Sequence, residues 1–381
     1  MNVMCWRAAE LGRRRRHVVA ALTVAAVFGL SSDGRAAADL PADVARRVDE
    51  KIAQFMADNK VPGLSVAIAV DRQVAFERGY GLADIENRVP ATADTVYRLA
   101  SISKMLTAVA VMQLVEQGKL DLQAPIQKYV PDFPEKQAPV TAELLLKHQS
   151  GIRHYKGDEV RSAAYYRKVP DSLGIFKDDP LLFAPGEKFS YTTYGYNVLG
   201  CAIEGASGQD YVSYVQEHIC TPAGMASIQP DLPQKIIPNR AAGYRQGLLG
   251  KQGELMNAFM VDVTNKIPGG GWCSTPGDLA RFAIALADAR LVSRETLERM
   301  WTAQKTAGGE PTPMGFGCNI RLVDGDRRVS HSGGQPKVST FLTLSPARGV
   351  AVALMCNLEG TSLQPLADEL VGVTRQPLAA K

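Results

Sequence analysis

The sequence is poor in the residues that build metal and redox sites. It has five histidines and six cysteines in 381 residues, with no C-x-x-C pair and no H-E-x-x-H. The histidines beyond residue 38 are scattered at positions 148, 154, 218 and 331. Because metal sites need several ligands at short spacings, we expect no metal and no cofactor.

Five cysteines lie beyond residue 38. Since an odd number cannot pair completely, we expect mostly buried free thiols, with room for one disulfide.

An excess of charge of one sign is also missing from most of the chain. The formal net charge is +4, but residues 1–38 contain six arginines and two acidic residues and so account for all of it. The remaining residues carry 37 basic and 37 acidic side chains. A chain without net charge or charge runs has no electrostatic surface for a polyanion, so we expect no nucleic-acid partner.

The N-terminal segment has the layout of a secretory signal peptide. Arg13–Arg16 precede an apolar run of 13 residues, from Val18 to Leu30, and then Ala36–Ala38. This layout predicts cleavage after residue 38, with the export route left open. The run is shorter than the roughly 20 residues of a helical span, although a retained anchor stays an alternative. We therefore expect a periplasmic or secreted protein with no stable membrane span after cleavage.

Strand patterns lie at both ends of the remaining chain, with helical patterns between them. A helix at 42–58 is followed by a predicted β-hairpin, Gly63–Val70 and 73–79, around the turn Asp71-Arg72. Further extended segments are predicted at 316–323, 340–344 and 350–356, and helices at 141–147, 196–206, 211–220 and 278–288. This order predicts an α/β (α+β) fold in which an antiparallel sheet from both chain ends is flanked by helices, with an inserted all-helical region.

The predicted domain organisation follows from that order. Residues 1–38 form the signal peptide and residues 39–381 form one domain. Its sheet region covers about 39–120 and 265–381, and its helical region covers about 121–264.

The segment from Ser101 to Gly118 is apolar on every side, which predicts a buried helix. Ser101 and Lys104 lie one turn apart at its start, so Lys104 would place an ammonium in poorly hydrated surroundings. Burial disfavours the charged lysine and lets an amine with an ordinary pKa of about 10.4 act as a base near neutral pH. The spacing alone is a weak signal, since about one S-x-x-K is expected by chance. Ser101 as a helix cap and Lys104 as a surface lysine are the alternatives.

Several further segments carry a family resemblance, in the order 97–107, 144–151, 185–200, 269–282 and 331–334. Together they resemble the serine β-lactamase-like family, which contains class C β-lactamases, D-Ala-D-Ala carboxypeptidases and related esterases and peptidases. The resemblance covers about residues 45–360. It implies an antiparallel sheet flanked by helices, an all-helical region, and an active site in the cleft between them.

The resemblance also implies catalytic roles. Ser101 matches the family's acyl-forming nucleophile and Lys104 matches its lysine partner. Tyr191 matches the tyrosine of the Y-x-N element and would carry a proton between Ser101 and the leaving group. Which of Lys104 and Tyr191 acts as the general base stays open.

A third element, His331-Ser332-Gly333, stands where β-lactamases usually carry K-T-G on a strand beside the cleft. Glycine at this point is expected to let a substrate backbone lie close to the strand. The backbone N–H of Gly334 is a candidate oxyanion donor opposite that of Ser101. His331 is expected to orient a substrate carboxylate or polar group, and to change its charge within about pH 5.5–8.

Two positions depart from the β-lactamase pattern. Thr193 stands where Y-x-N has asparagine, and His331 stands where K-T-G has lysine. These departures weaken the substrate-holding side and favour a peptidase or esterase over a dedicated β-lactamase. The pair is similar to the mitochondrial serine β-lactamase-like protein group and its bacterial relatives. That resemblance implies peptidase or esterase activity and, in some members, self-assembly.

The sequence therefore leads to two hypotheses. The first is a serine hydrolase that forms an acyl-enzyme on amide or ester bonds of a small-molecule or peptide substrate. The second is a catalytically weak penicillin-binding sensor or a self-assembling scaffold protein. A homo-oligomer is compatible with both.

Overall fold

The structure, a computed structural model, describes residues 39–247 and 254–375. The signal peptide predicted for residues 1–38, with its cleavage site, lies outside the described residues. Within these two ranges, none of the helices combines the length and the apolarity that a bilayer crossing requires.

Both ends of the described chain contribute strands to one sheet. The strands in chain order are β1 (Gly63–Val70), β2 (Gln73–Asp84), β3 (Val89–Pro90), β4 (Tyr97–Arg98), β5 (Gln229–Pro230), β6 (Tyr244–Gln246), β7 (Leu255–Asn257), β8 (Trp272–Ser274), β9 (Asn319–Val323), β10 (Asp326–Gln335), β11 (Val338–Ser345) and β12 (Val350–Cys356). A seven-stranded antiparallel sheet has the order β3-β2-β1-β12-β11-β10-β9. Its centre is the pairing of β1 with β12, from Leu64 opposite Cys356 to Val70 opposite Val350.

Helices cover the sheet and fill the middle of the chain. The α-helices are α1 (Ala42–Asn59), α2 (Ser103–Glu116), α3 (Ala142–Leu146), α4 (Tyr194–Ser207), α5 (Tyr211–Val215), α6 (Thr221–Ala223), α7 (Ile267–Gly270), α8 (Pro276–Ala287), α9 (Arg294–Met300) and α10 (Gln364–Thr374). A π-helical turn, Gln216–Cys220, continues α5. The predicted class, an antiparallel sheet flanked by helices in a mixed α/β fold, is confirmed.

The two faces of the sheet carry side chains of different size. In β1, Leu64, Val66 and Ile68 face the cluster that includes α1 and α10. The alternate residues Ala67 and Ala69 face the cluster that includes α2 and α8. Because successive strand residues point to opposite faces, the small alanines let helices approach this side of the sheet closely.

The buried helix predicted after Ser101 is present as α2. Every residue of α2 from Ser103 to Leu114 is buried. The helix ends at Glu116, before Gly118, whose backbone is left-handed with φ +69°. The α-helix begins two residues later than predicted because a 3₁₀ turn, Ala100–Ile102, precedes it and carries Ser101.

Strand β10 is the main element that the extended patterns did not identify. Its C-terminal half reads Ser-His-Ser-Gly-Gly-Gln, which lacks the β-branched and aromatic residues typical of strands. The strand forms because β11 pairs with it along that half, with His331 opposite Leu342 and Gly333 opposite Thr340. Tertiary pairing here overrides a weak local preference.

All five cysteines beyond residue 38 are free and buried. The expected free thiols are therefore present, and none of the five is used in a disulfide. Burial raises the pKa of each thiol, for example that of Cys318 to about 12, so these side chains are inert as nucleophiles at neutral pH.

We predict that Gly333 is required for stability, whereas its neighbour Gly334 is not. A Cβ at Gly333 would lie 2.1 Å from Thr340 Oγ1 and 2.4 Å from the carbonyl oxygen of Leu99. Gly333→Ala should therefore lower the free energy of unfolding by about 1–3 kcal/mol in urea denaturation. Gly334→Ala is the matched control, since a Cβ there meets nothing within 4 Å. An equal loss in both variants would contradict the described packing.

Candidate active site

The turn that carries Ser101 is fixed from two sides. The preceding strand β4 pairs with β8, and the N–H of Leu99 donates to the carbonyl of Trp272 at 2.7 Å. From the other side, Thr340 Oγ1 of β11 donates to the carbonyl of Leu99 at 2.9 Å. Arg98 is buried and paired with Asp231, which anchors the same segment. Ser101 is thus held by the sheet, and its side chain is partly exposed.

The residue before Ser101 has a strained backbone. Ala100 has φ +48°, a left-handed conformation that costs a non-glycine residue about 1 kcal/mol or more. Gly333 provides the space for it, since a Cβ on Gly333 would approach Ala100 Cβ to 3.1 Å. Glycine at 333 is therefore needed for packing against the Ser101 turn, and its expected role of admitting a substrate backbone stays a prediction.

Lys104 lies one turn into the buried segment and is fully shielded from solvent. Its Nζ is 3.3 Å from Ser101 Oγ, 3.2 Å from Thr193 Oγ1 and 2.6 Å from the carbonyl oxygen of Gly269. The aromatic ring of Tyr191 lies 4.8 Å from the same nitrogen. The structure thus brings together the side chains that the sequence singled out at 101, 104, 191 and 193.

The surroundings of Lys104 favour the neutral amine. Burial, and then the positive charge of Lys266, hold the pKa of Lys104 well below its ordinary value. A neutral amine has two N–H groups and one lone pair. The carbonyl of Gly269 and the hydroxyl of Thr193 accept the two N–H groups, so the lone pair is left for the Ser101 hydroxyl. This is the geometry of a base that takes a proton from a serine.

Tyr191 is partly exposed beside these groups and keeps its proton. Burial raises the pKa of the Tyr191 phenol above its ordinary value, while a hydrogen bond with the Ser101 side chain acts in the opposite direction. At neutral pH the phenol is therefore a proton donor and not a phenolate. Between the two candidate bases left open by the sequence, the electrostatics favour Lys104.

Thr193 is the N-cap residue of α4, but its side chain does not cap the helix. Its hydroxyl accepts from Lys104 instead. The residue that stands where Y-x-N has asparagine therefore contacts Lys104 through its hydroxyl.

Two histidines that the sequence left unassigned to the site hold this segment. His148 Nδ1 accepts the N–H of Thr192 at 3.1 Å, and His154 Nδ1 accepts the N–H of Thr193 at 3.1 Å. His148 also stacks on Tyr191, with ring centroids 4.3 Å apart. Both hydrogen bonds need an unprotonated Nδ1, and burial lowers the pKa of each histidine, to about 4 for His154. They act as neutral supports for Tyr191 and Thr193.

His331 differs from its expected behaviour. Burial, and then the charge of Lys104, lower the pKa of His331 to about 4, so the ring stays neutral throughout pH 5.5–8. Its Nδ1 lies 2.6 Å from the carbonyl oxygen of Ser332 and must carry the proton. Its Nε2 is buried with no hydrogen-bond partner among the described residues and is an acceptor in this tautomer. The expected charge change in that pH window is therefore wrong, and the ring is poorly suited to hold a carboxylate.

The residues of this strand element alternate between buried and exposed positions. His331 and Gly333 are buried, whereas Ser332 and Gly334 are exposed. Gly334 has open space at its side-chain position, which leaves its backbone accessible. Within residues 39–247 and 254–375, no group of three His, Cys, Asp or Glu side chains is placed to hold a metal ion.

The carbonyl of Gly269 is a site group that sequence reasoning missed. The run Gly269–Gly271 suggests only a tight turn, but Gly269 lies in α7, where a Cβ would come within 2.5 Å of Thr193 Cγ2. The glycine lets α7 approach α4, and its carbonyl then reaches Lys104. Every residue type has a backbone carbonyl, so the sequence does not mark this acceptor. A glycine run beside a motif, however, indicates that two backbone segments approach each other closely.

Comparisons with known proteins extend over this whole site. The family model described as Beta-lactamase matches residues 48–375. The human serine beta-lactamase-like protein LACTB, mitochondrial, is 30% identical over 414 residues, covering 80% of this chain and 75% of that protein. The octameric penicillin-binding protein homologue from Pyrococcus abyssi superposes with a TM-score of 0.74 at 29% identity, covering 88% of this chain and 79% of the other. The D-amino acid amidase from Ochrobactrum anthropi SV3 superposes with a TM-score of 0.75 at 23% identity, covering 87% and 97%, and shares the fold.

A pH-dependent loss of stability should follow from the neutral His331. Its pKa is about 4 in the folded protein against 6.5 ordinarily, so below pH 6.5 the unfolded chain binds this proton more readily. The free energy of unfolding therefore falls as pH drops from 6.5 toward 4. His331→Gln removes this contribution, and its loss between pH 7 and pH 5 should be smaller by about 2 kcal/mol.

Urea denaturation of both proteins at a series of pH values measures this difference. His148, His154 and all carboxylates remain in both proteins and cancel in the comparison. The same loss in the two proteins would show that His331 is not held neutral by the fold.

Proposed function

The chain belongs to the serine β-lactamase-like family, and we propose that it is a hydrolase that forms an acyl-enzyme through Ser101 on amide or ester bonds. The observation that carries the proposal is the arrangement at Lys104. Its amine is fully buried, has two uncharged acceptors for its N–H groups, and lies 3.3 Å from Ser101 Oγ, so the lone pair of the neutral amine is left for that hydroxyl. A surface lysine or a simple helix cap would not need this arrangement.

Acylation begins with the transfer of the Ser101 proton to Lys104. As the O–H bond breaks, Ser101 Oγ forms a bond to the substrate carbonyl carbon, and the carbonyl oxygen becomes an oxyanion. The backbone N–H groups of Ser101 and Gly334 are the proposed donors to that oxygen. The exposed position of Gly334 and the fixed turn around Ser101 support this assignment.

The leaving group needs a proton as its bond to the carbonyl carbon breaks. Tyr191 is the proposed carrier, because its phenol stays protonated and lies beside Ser101 and Lys104. The phenol gives its proton to the leaving amine or alcohol and regains one from the Lys104 ammonium. Water then attacks the ester carbonyl of the acyl-enzyme, and Lys104 accepts its proton. As the bond between the acyl carbon and Ser101 Oγ breaks, Lys104 gives that proton to Oγ, which restores the hydroxyl and the neutral amine and releases the acid product.

The residues expected to bind the substrate favour a hydrolase of small molecules or peptides and not a dedicated β-lactamase. Neutral His331 and the short side chain of Thr193 offer hydrogen bonds but no positive charge at the positions that differ from the β-lactamase pattern. The solved relatives include an amidase for D-amino acids, and we extend amide hydrolysis to this chain as part of the proposal. The octameric Pyrococcus structure likewise makes a homo-oligomer a proposal for this chain.

Loss of the Ser101 hydroxyl should abolish covalent labelling. Wild-type residues 39–381 are expected to react with a fluorophosphonate probe and to turn over a chromogenic ester, and Ser101→Ala should do neither. Ser103→Ala is the matched control, since Ser103 Oγ is buried two residues away and has no hydrogen-bond partner in the part of the chain that the structure describes. Labelling that persists in Ser101→Ala would refute the proposed hydrolase. A wild type that shows neither labelling nor turnover of an ester, an amide or a cephalosporin would also refute it.

Removal of the amine should slow acylation without removing the nucleophile. Lys104→Met has nearly the same volume but no base, so the labelling rate of Ser101 at pH 7 should fall by about 10²–10⁴-fold. Labelling reactions that are quenched at a series of times and analysed by mass spectrometry measure this rate. An unchanged rate in a folded Lys104→Met protein would exclude Lys104 as the base.

We also propose that the working protein is periplasmic or secreted, on the support of the basic and apolar segments in residues 1–38. Expression of the full chain in a Gram-negative host, followed by fractionation and N-terminal sequencing, should give a periplasmic product beginning at Asp39. A cytoplasmic protein that retains Met1 would contradict this.

A further inference from the structure

Lys266 is a second buried lysine that the proposed mechanism does not use. Its side chain is 1% exposed, and its Nζ has no hydrogen-bond partner in the described part of the chain. Its nearest described aromatic contact is the ring of Tyr155, 4.8 Å from Nζ. Burial of an unpartnered ammonium is costly to a fold. A chain that keeps such a group therefore places a positive charge where a neutral side chain would be more stable.

The segment that carries Lys266 packs against the helix that carries Lys104. Lys266 directly precedes α7, and α7 is fixed to α2 because Thr107 Oγ1 donates to the carbonyl of Pro268 at 2.7 Å. Lys104 contacts the next residue of α7 through the carbonyl of Gly269. The ring of Tyr155, which lies against Lys266, also packs on the ring of His154, whose Nδ1 accepts the N–H of Thr193.

The groups around Lys104 carry no charge that could offset this ammonium. The three histidines that face it stay neutral, because burial lowers the pKa of each. The phenols of Tyr191 and Tyr196 stay protonated, because burial raises the pKa of each. The positive charge of Lys266 therefore acts on Lys104 through a medium with few polar groups free to screen it.

The charged groups around Lys266 are already engaged. Asp262 accepts from the N–H of Thr264 at 2.7 Å and from its hydroxyl at 2.5 Å. Arg98 is buried and paired with Asp231. Burial, followed by the charge of Arg98, lowers the pKa of Lys266 to about 8, with Asp262 acting in the opposite direction. Lys266 is therefore still mostly charged at pH 7.

We propose that Lys266 is a positioning residue that supplies the fixed positive charge of this site and keeps Lys104 in its free-amine form. Two like charges in one water-poor region disfavour each other, so a charged Lys266 opposes protonation of Lys104. The inference deepens the proposed function and rests on it for its catalytic meaning.

Titration of Lys104 itself tests this inference without any activity. Protein labelled with ¹³C at lysine Cε reports deprotonation by NMR, and the Lys104 signal is assigned by its loss in Lys104→Met. In Lys266→Met, Lys104 should lose its proton at a higher pH than in the wild type. Lys266→Arg keeps the charge and should leave the midpoint close to that of the wild type. Lys266→Gln is a second uncharged variant, should the methionine protein not fold.

The labelling rate of Ser101 gives the second readout. As Ser101 Oγ bonds to the phosphorus of a fluorophosphonate, fluoride leaves and the serine proton passes to Lys104. At pH 6.5, Lys266→Met should be labelled at least about threefold more slowly than the wild type, with recovery as the pH is raised to 9. Lys266→Arg should keep the wild-type pH profile.

The two readouts separate the inference from the function on which it rests. A wild type that is never labelled refutes the proposed function, while the NMR titration still decides the role of Lys266. An unchanged Lys104 midpoint in a folded, uncharged Lys266 variant overturns the inference even where Ser101 is fully reactive. A fall in labelling that is equal at all pH values would indicate a structural role only and would also overturn it.

Discussion

The site depends on one lysine amine that is kept out of water among acceptors without charge. A carboxylate within reach would hold Lys104 as an ammonium and remove its lone pair, so the neighbours of this nitrogen must be oxygens of neutral groups. Three separate elements meet this requirement. Helix α2 must be apolar on all sides, α4 must turn the side chain of Thr193 away from its own N-terminus, and α7 must present the carbonyl of Gly269.

Much of this could be predicted from the sequence where a side chain carries the information. The hairpin of β1 and β2 has a first strand rich in Val, Ala and Ile and a polar turn, and α2 is apolar throughout, so both were predicted within a few residues of their bounds. Ser101, Lys104 and Tyr191 are recognisable by residue type and order. The structure places them together, and it adds the burial that gives the lysine and the tyrosine opposite protonation states.

The remainder depends on backbone groups and on burial, which residue types do not reveal. The carbonyl of Gly269 and the left-handed backbone of Ala100 have no signature in a single sequence. His331 was expected to titrate near neutral pH because that is the ordinary behaviour of histidine, but a buried position on β10 moves it outside that range. Strand β10 itself forms through its pairing with β11, so its polar and glycine-rich sequence gave little indication of it.

The pairing of β1 with β12 has a consequence for how the protein is made. Leu64 pairs with Cys356, so the central pair of the sheet cannot form until almost the whole chain has been synthesised. The 3₁₀ turn that carries Ser101 is also held by Thr340, which lies on β11 and is synthesised late. A nascent or unfolded chain therefore carries Ser101 and Lys104 without the burial that keeps the Lys104 amine neutral. The surroundings of these two side chains are completed only when the last strands join the sheet, so they depend on the far end of the chain as much as on the helix that carries Lys104.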